Sequence, residues 1–296
     1  MRMSLSRWLV VMAATLLLTG LRPAPSVAVP QIARALPRPA AVGPWAVLDY
    51  SNSNALTGGQ GLATVTRPDG TTYTWFDGIA SVPLRLRLAG WSHVGDPDSR
   101  DGYVVEPYQK SSGDSKMFRV WTPGGQAVEF YHRDVPGEAT DNNFAAIAPD
   151  GDWIVSGQWG DITSLPFYPM PYLNHAVSGP GQNLPLAGAI RLDHAISAVQ
   201  GCAFTTVVQL VCSSDSDSSP LGNTKPLIQI DLARSLTGGD VTGRVTELGT
   251  LPLESVCSGS FEVEGIDYAD RSGDLRVEVI PPGPCAPVGT VWRFRR

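Results

Sequence analysis

The feature that most constrains the fold of this chain is a β-hairpin pattern that recurs about every 50 to 60 residues. Short runs of alternating apolar and polar residues are separated by turns rich in Pro, Gly and Asp, which is typical of antiparallel strands. Hairpins are predicted at 64–76, 118–131, 145–156, 202–212 and 261–279, and the repeating units begin near residues 90, 143, 200 and 260. A further strand-like run follows the later hairpins, so each unit reads as a hairpin, a loop and a closing strand.

A unit of this kind at this interval is typical of a four-stranded propeller blade. The sequence therefore predicts an all-β fold, a single β-propeller of about five blades over residues 44–296. The ring is expected to close where residues 291–296 meet the first strand, which removes the open sheet edges. A β-sandwich with the same density of turns is the alternative. The 31 Gly and 25 Pro residues exclude a helical bundle, and the run Leu84–Leu88 is predicted as an alternating strand.

The N-terminal 28 residues have the layout of a secretory signal peptide. Arg2 and Arg7 precede an apolar run over residues 8–20, and Ser26-Val-Ala28 offers the small residues that a signal peptidase recognises. A retained membrane anchor is the alternative, although the run is short for a span. Residues 29–43, rich in Pro and Ala, are predicted to be a leader into the fold. The sequence thus predicts a secreted, extracellular protein.

The charge of the chain limits its partners. The net charge is −6, and cleavage after residue 28 removes three arginines and no acid, which leaves a mature chain at −9. Binding to nucleic acid or to an anionic membrane requires a basic face, so neither partner is expected after signal cleavage. Hydrophobic residues at 43% and charged residues at 17% indicate a packed core rather than a disordered chain.

The C-terminal quarter resembles a known group of propellers. The run Phe261–Tyr268, followed by Gly273–Val277, resembles the Glu-Gly-Ile strand and the next hairpin of secreted esterase-like and phytase-like β-propellers. In composition, with 19 Arg against 3 Lys, the whole chain is similar to secreted proteins of high-GC Gram-positive bacteria. The resemblance implies a secreted bacterial propeller and assigns no chemistry.

The four cysteines lie in the last third of the chain, and an even number in an exported chain favours disulfides. Cys202 and Cys212 bracket one predicted hairpin, while Cys257 precedes the last hairpin and Cys285 follows it. We therefore expect the pairs 202–212 and 257–285, although three connectivities are possible. A zinc site is the alternative, but no Cys-x-x-Cys spacing or neighbouring His pair supports one, so no metal is expected at the cysteines.

Three acidic residues are candidate catalytic groups. Glu264 and Asp267 lie on a predicted innermost strand, and Asp49 lies on an early strand, so all three are candidates for a central channel. Two facing carboxyl groups can act as acid and base, or as acid and nucleophile, in hydrolysis. The alternative is that these acids cap loops or accept hydrogen bonds from main-chain amides.

Asp96, Asp98 and Asp101 place three carboxylates in one short turn, which makes Ca²⁺ the single cofactor that the sequence suggests. The spacing differs from that of an EF-hand loop, and a polar turn between two strands explains the run equally well.

A segment over residues 159–172 carries four aromatic residues and three prolines. Trp159, Phe167, Tyr168 and Tyr172 in an exposed loop, together with His93, are candidate ligand-binding residues. Aromatic faces there suit a carbohydrate or an apolar small molecule. The alternative is that the segment buries its own rings.

Two functions remain open from the sequence. The first is an extracellular binding or interaction protein, which needs no catalytic group. The second is a secreted hydrolase of a glycoside, an ester or a phosphoester that uses the acidic candidates. No nucleophile-elbow or phosphate-loop motif is present in the sequence.

Overall fold

The computed structural model describes residues 41–110, 112–138, 141–175, 177, 183–255, 257 and 261–296. The predicted signal peptide, 1–28, and the leader up to residue 40 lie outside the described residues. Within the described chain, strands dominate and the two α-helices have four and five residues. No helix in this part of the chain has the length and hydrophobicity needed to cross a membrane.

The described chain begins with two strands at the periphery. Strand β1 (Ala41–Val42) turns back at Gly43 onto strand β2 (Trp45–Asn54). Helix α1 (Ala55–Gly58) follows, and the Asn54 side chain caps it by accepting a hydrogen bond from the Leu56 N–H.

Blade 1 contains only two strands in the described structure. Strands β3 (Gly61–Thr66) and β4 (Thr72–Asp77) form the predicted hairpin, whose turn includes Gly70 at φ +85°. Helix α2 (Leu84–Leu88) follows where the outer strands of a full blade would begin.

The alternating run Leu84–Leu88 was predicted as a strand, and that prediction is wrong. Main-chain N–H groups of Leu86 and Arg87 donate to the Pro83 carbonyl and start a helical turn. Five residues of alternation do not distinguish the two structures, and Leu86 alone is buried in the helix while Leu84 and Leu88 are exposed.

Blade 2 consists of β5 (Trp91–Val94), β6 (Asp98–Arg100), β7 (Tyr103–Lys110), β8 (Ser115–Trp121) and β9 (Ala127–Arg133). Strands β5 and β6 both pair with β7, and β8 and β9 continue the antiparallel sheet outward.

Blade 3 consists of β10 (Ala145–Ile147), β11 (Trp153–Ser156), β12 (Ile162–Pro169) and β13 (Gly188–Ile196). Strand β12 occupies most of the segment that was predicted to be an exposed aromatic loop. The segment is a strand because its apolar side chains alternate into the core, where Leu165 and Phe167 are fully buried.

Blade 4 consists of β14 (Val199–Thr206), β15 (Gln209–Ser214), β16 (Pro226–Leu232) and β17 (Val241–Thr250). Its outermost strand β17 pairs in parallel with β13, which joins blades 3 and 4 into one sheet.

Blade 5 combines the two ends of the described chain. Strands β18 (Glu262–Ala269), β19 (Asp274–Ile280) and β20 (Val288–Arg295) come from the C-terminal end, and β2 pairs with β20 to complete the blade. A single 3₁₀ turn, Gly283–Cys285, precedes β20. The predicted closure between the last residues and the first strand is confirmed.

The innermost strands form a closed ring. Strand β3 contacts β6, β6 contacts β10, β10 contacts β14, β14 contacts β18, and β18 returns to β3. A ring of five sheets arranged in this way is a five-bladed propeller, so the predicted fold class and blade number are confirmed, and a β-sandwich is excluded.

Hydrophobic packing fills three of the gaps between blades. Apolar clusters lie between blades 2 and 3, 3 and 4, and 4 and 5, and a smaller one lies between α2 and blade 2. In the described structure no such cluster joins blade 5 to blade 1, where polar side chains make the contact.

The axis of the ring is filled by the carboxylate of Asp96. Its two oxygens accept hydrogen bonds from the main-chain N–H groups of Leu62, at 3.1 Å, and Ile266, at 3.0 Å. Glycines of three inner strands make room for it, since a Cβ atom built on Gly61, Gly201 or Gly265 would lie 2.0–2.2 Å from a carboxylate oxygen. The ring is therefore packed solid at this level.

Both predicted disulfides are confirmed. Cys202 and Cys212 are directly opposite each other on β14 and β15, with their Cα atoms 4.0 Å apart. Cys257 is bonded to Cys285 in the 3₁₀ turn of blade 5.

Candidate ligand cleft

A polar cleft of about 550 Å³ opens at the end of the ring where the inner strands β3, β6 and β18 finish. We call this cleft the exit cleft. The inner strands of blades 1, 2 and 5 and the turns that follow them form its walls. Its lining residues are Thr64, Thr66, Arg67, Pro68, Thr72, Asp98, Ser99, Arg100, Asp101, Asp267, Tyr268, Ala269, Asp270, Arg271 and Ser272.

Asp267 lies in the wall of the exit cleft, and both of its carboxylate oxygens accept hydrogen bonds from the protein. Oδ2 accepts hydrogen bonds from Arg276 Nε at 2.9 Å, from Arg276 Nη2 at 2.7 Å and from the Thr64 hydroxyl at 2.8 Å. Oδ1 accepts the Thr64 N–H at 2.7 Å. Because Oδ2 accepts three hydrogen bonds and Oδ1 accepts one, all from this protein's own residues, this carboxylate connects blade 5 to blade 1 and is poorly placed to act as a nucleophile.

Asp98 is the other inner-strand carboxyl group of the exit cleft. Its Oδ2 accepts the Ile147 N–H at 2.6 Å, and its Oδ1 accepts the Ser99 N–H at 2.6 Å. Burial raises the pKa of Asp98 to about 7. The hydrogen bond from the Ile147 N–H lowers this pKa, and the negative charge of Asp267 raises it. Asp98 can therefore hold or release a proton near neutral pH, whereas Asp267 lies in an ion pair.

Charged side chains of opposite sign alternate around the rim. Arg100 Nη1 contacts Asp270 Oδ2 at 2.9 Å, which links blade 2 to blade 5. Arg271 Nη1 donates to the Gly70 carbonyl at 2.8 Å, which links the hairpin turns of blades 5 and 1. Asp101 lies in the turn at the rim and has a left-handed backbone, with φ +53°. The rim is thus held in place by contacts across three blades.

The structure does not bring the three predicted catalytic acids together. Glu264 is buried on β18 and is not in the lining of the exit cleft; burial, followed by the charges of Glu262 and Glu278, raises its pKa well above the usual range. Asp49 lies on β2, three strands away across the same blade, or about 14 Å at the usual strand spacing. It forms an exposed ion pair with Arg293, with Oδ1 2.9 Å from Nε. Of the three, only Asp267 lines the exit cleft.

The three carboxylates suggested for Ca²⁺ have different surroundings. Asp96 is on the axis with its oxygens bonded to main-chain N–H groups, Asp98 faces the exit cleft, and Asp101 is in the turn at its rim. A common ion requires converging oxygens, and these three do not form a converging group in the described structure.

The five predicted ligand-binding residues are absent from the lining of the exit cleft, and Phe167 is fully buried in the core. Trp159 is exposed in the turn after β11, whereas Tyr168 is fully buried and its hydroxyl donates to Glu138. Tyr172 is half-buried and stacks on Tyr103 with ring centroids 5.6 Å apart. His93 is half-buried on β5, and burial lowers its pKa despite the nearby charge of Asp141.

One cluster with metal-ligand chemistry was not predicted from the sequence. His132 lies near the end of β9, and Asp134 and Glu138 lie in the segment that follows; their ligand atoms are within 4.8 Å of one another. The ammonium group of Lys116 already contacts both carboxylates, at 2.7 Å from Glu138 and 3.4 Å from Asp134. Since a buried lysine supplies the positive charge there, the cluster is an ion-pair network.

Thr64 and Arg276, which hold Asp267, are not among the residues predicted from the sequence. Arg276 lies in the alternating run after the Glu-Gly-Ile strand, where a charged residue reads as solvent-facing. The pairing register of the last hairpin could have identified Arg276, because Arg276 lies directly opposite Asp267 on the neighbouring strand.

No protein-family model and no curated protein sequence matches the chain. Among solved structures, the chain is similar to the WD40 repeats of RRP9, with 11% identity over 80% of this chain and 67% of that one, at a TM-score of 0.36. It is also similar to U3-55K, with 12% identity over 79% and 67% of the two chains, at a TM-score of 0.33. Similarity at this level supports no conclusion about function, and the five-bladed architecture rests on the strand pairings themselves.

Proposed function

We propose that this protein is a binding protein and that it holds a hydroxyl-rich small molecule, a saccharide unit, in the exit cleft. The observation that carries the proposal is the cleft itself, because its volume of about 550 Å³ lies in the range typical of small-molecule sites. The contacts between Arg100 and Asp270 and between Asp267 and Arg276 preorganise its walls before any ligand arrives.

The chemistry of the lining favours a saccharide over an apolar ligand. Threonine, serine and tyrosine hydroxyls alternate with carboxylates and guanidinium groups, while large aliphatic side chains are absent from the lining. A ligand rich in hydroxyl groups both donates and accepts hydrogen bonds, so it can replace the water that solvates these groups. An apolar ligand would displace this water without replacing its hydrogen bonds.

We further infer that binding takes place outside the cell. The two disulfides are typical of proteins in oxidising compartments, and the signal-peptide pattern at 1–28 agrees with export. Separation of culture medium from cells, followed by N-terminal sequencing of the secreted chain, tests this inference. A chain that stays with the cells, or begins at Met1, contradicts it.

Calorimetric titration with a panel of neutral and acidic saccharides tests the binding proposal. Asp270→Asn loosens the rim by removing the partner of Arg100 and is expected to weaken binding several-fold. The matched control is Asp150→Asn, which alters the corresponding hairpin turn in blade 3, away from the cleft. Equal effects of the two variants, or no binding of any saccharide by the wild-type protein, would refute the proposal.

A hydrolase is the second candidate, and the protonation of Asp98 favours it. A carboxyl group with a pKa of about 7 beside an ionised carboxylate matches the requirement for a general acid. Aryl glycosides, esters and phosphates are the substrates to screen, and Asp98→Asn should abolish any turnover while binding persists. Turnover that survives this substitution removes Asp98 from the reaction.

A further inference from the structure

Among the residues that the structure describes, no strand pairs with the outer edge of β4 in blade 1. The N–H groups of Leu62 and Thr64 on β3 point away from β4, because they donate to Asp96 and Asp267. Their cross-strand partners are Phe76 and Thr74. In an antiparallel pair, two residues that face each other either bond to each other or both direct their main-chain N–H and C=O groups away from the partner strand. The main-chain groups of Thr74 and Phe76 therefore point away from β3. Those of Thr72, two residues before Thr74, point the same way.

This edge is recessed between fuller blades. Blades 2 and 5 have at least four strands, whereas blade 1 ends at its second strand in the described structure. The edge of β4 therefore lies about 10 Å inside the outer edges of its neighbours, at two strand spacings of about 4.8 Å. The space suits an extended chain and excludes a second propeller edge.

Large apolar side chains are exposed beside the edge. Their exposed fractions are 54% for Leu56, 36% for Phe76, 57% for Ile79, 71% for Leu84 and 80% for Leu88. Hydrogen bonds connect the segments that carry them: the Ala80 N–H donates to the Leu56 carbonyl, and Arg87 donates to the Ile79 carbonyl and so ties α2 to this segment. Exposed apolar side chains near an open strand edge mark an interaction site.

The residues beside this edge include more basic than acidic side chains, although the chain as a whole is acidic at −6, and Arg85 among them is already paired with Glu129. Residues 50–95 contain three arginines, at positions 67, 85 and 87, and only two acids, of which Asp77 is buried. In the described structure Arg87 bonds to main-chain carbonyls and has no carboxylate partner. An acidic ligand complements this charge.

We propose that the edge of β4 receives an extended segment of a partner protein, apolar at alternate positions and flanked by acidic side chains. The partner strand pairs with the main chain at Thr72, Thr74 and Phe76, its apolar side chains cover Leu84 and Leu88, and its acids face Arg87. A second copy of this chain fits poorly because its own edge carries the same arginines. The segment 29–40 of this chain fits poorly as well, since it brings Arg34, Arg38 and three prolines.

The test uses two capped heptapeptides of opposite charge, Glu-Val-Thr-Val-Thr-Val-Glu and Lys-Val-Thr-Val-Thr-Val-Lys, with the mature protein. Fluorescence anisotropy should show binding of the acidic peptide and weaker binding of the basic one. Amide hydrogen exchange should slow at Thr72, Thr74 and Phe76 when the acidic peptide is bound, because only strand pairing protects all three.

Arg87→Gln should weaken the binding of the acidic peptide by about two- to fivefold, which is the usual effect of losing one exposed charge pair. Arg133→Gln is the matched control, since Arg133 is an exposed arginine on the outer strand of blade 2, and it should have no effect. The proposal is overturned if neither peptide binds, if both bind equally, if the three amides stay unprotected, or if light scattering shows a dimer instead of a monomer.

Discussion

Asp267 and Arg276 face each other across β18 and β19, and together they connect blade 5 to blade 1. Arg276 reaches Asp267 with two nitrogens and donates through Nη1 to the Thr74 hydroxyl at 2.7 Å. The pair replaces the apolar packing that joins blades 2 to 5 in sequence around the ring. The residue that looked catalytic in the sequence thus holds the ring closed beside the exit cleft.

We predict that Asp267→Asn lowers the free energy of unfolding by about 3–5 kcal/mol, because it leaves the half-buried guanidinium of Arg276 without its counter-ion. Urea denaturation of the purified protein measures the change. Asp49→Asn is the control, since the Asp49–Arg293 pair is exposed and its loss should cost about 1 kcal/mol or less. A larger effect at Asp49 than at Asp267 contradicts this assignment.

The packed axis gives a second prediction. Gly265→Ala places a Cβ atom 2.0 Å from Asp96 Oδ1, so either the carboxylate or β18 must move. We expect the free energy of unfolding, measured by urea denaturation, to fall by about 3 kcal/mol or more, which is the upper end of the usual cost of overpacking a core. Gly124→Ala adds the same methyl group to a turn where the nearest atom is 3.8 Å away and should change stability little. Similar losses for both variants would show that the axis tolerates the added atom.

The fold was largely accessible from the sequence because blades are local. Each hairpin carries its own turn signal and strand alternation, and the pairing of Cys202 with Cys212 follows from one hairpin. The run Leu84–Leu88 misled because its alternation is short and its helix is set by Pro83 and by packing of Leu86 on blade 2.

The candidate site was less accessible because it depends on contacts between blades distant in sequence. Thr64 and Asp267 are 203 residues apart, and Leu62 lies 34 residues from Asp96. A single sequence shows residue types and spacing, but it does not show which blade's side chains meet at the ring. Asp49 illustrates the limit, since its strand was identified while its pairing with the last strand, β20, on the outer side of blade 5 did not reveal its distance from the ring.

The two disulfides should differ in their contribution to stability. Cys202 and Cys212 are 10 residues apart, whereas Cys257 and Cys285 are 28 apart. The loop-entropy relation gives about 3 kcal/mol for the shorter loop and close to 1 kcal/mol more for the longer one. Paired Cys→Ser variants of each bridge, compared by urea denaturation, test the order. If the variant without the 202–212 bridge loses more free energy of unfolding, the cost of burying two serine hydroxyls in blade 4 is larger than the difference in loop entropy between the two bridges.

Burial of acids predicts an unusual dependence of stability on pH. Burial raises the pKa of Glu278 to about 8 and that of Asp98 to about 7, and burial also raises the pKa of Asp77, Asp96, Glu106 and Glu264. In the unfolded chain these groups titrate near pH 4. Between pH 4 and 8 the folded state therefore holds protons that the unfolded state has released, so stability is present at low pH and is lost as the pH rises.

We expect the free energy of unfolding to be greatest near pH 5 and to fall towards pH 8, with each acid contributing at most about 1.4 kcal/mol per pH unit. Below pH 4 the trend reverses, because groups such as Glu129 have a lowered pKa, owing first to the hydrogen bond from Arg85. Glu278→Gln should flatten the fall between pH 5 and 8, since its side chain no longer titrates. Glu129→Gln, the matched control, should leave that slope unchanged and alter only the acidic limb. A wild-type protein that gains stability from pH 5 to 8 would contradict the burial of these protons.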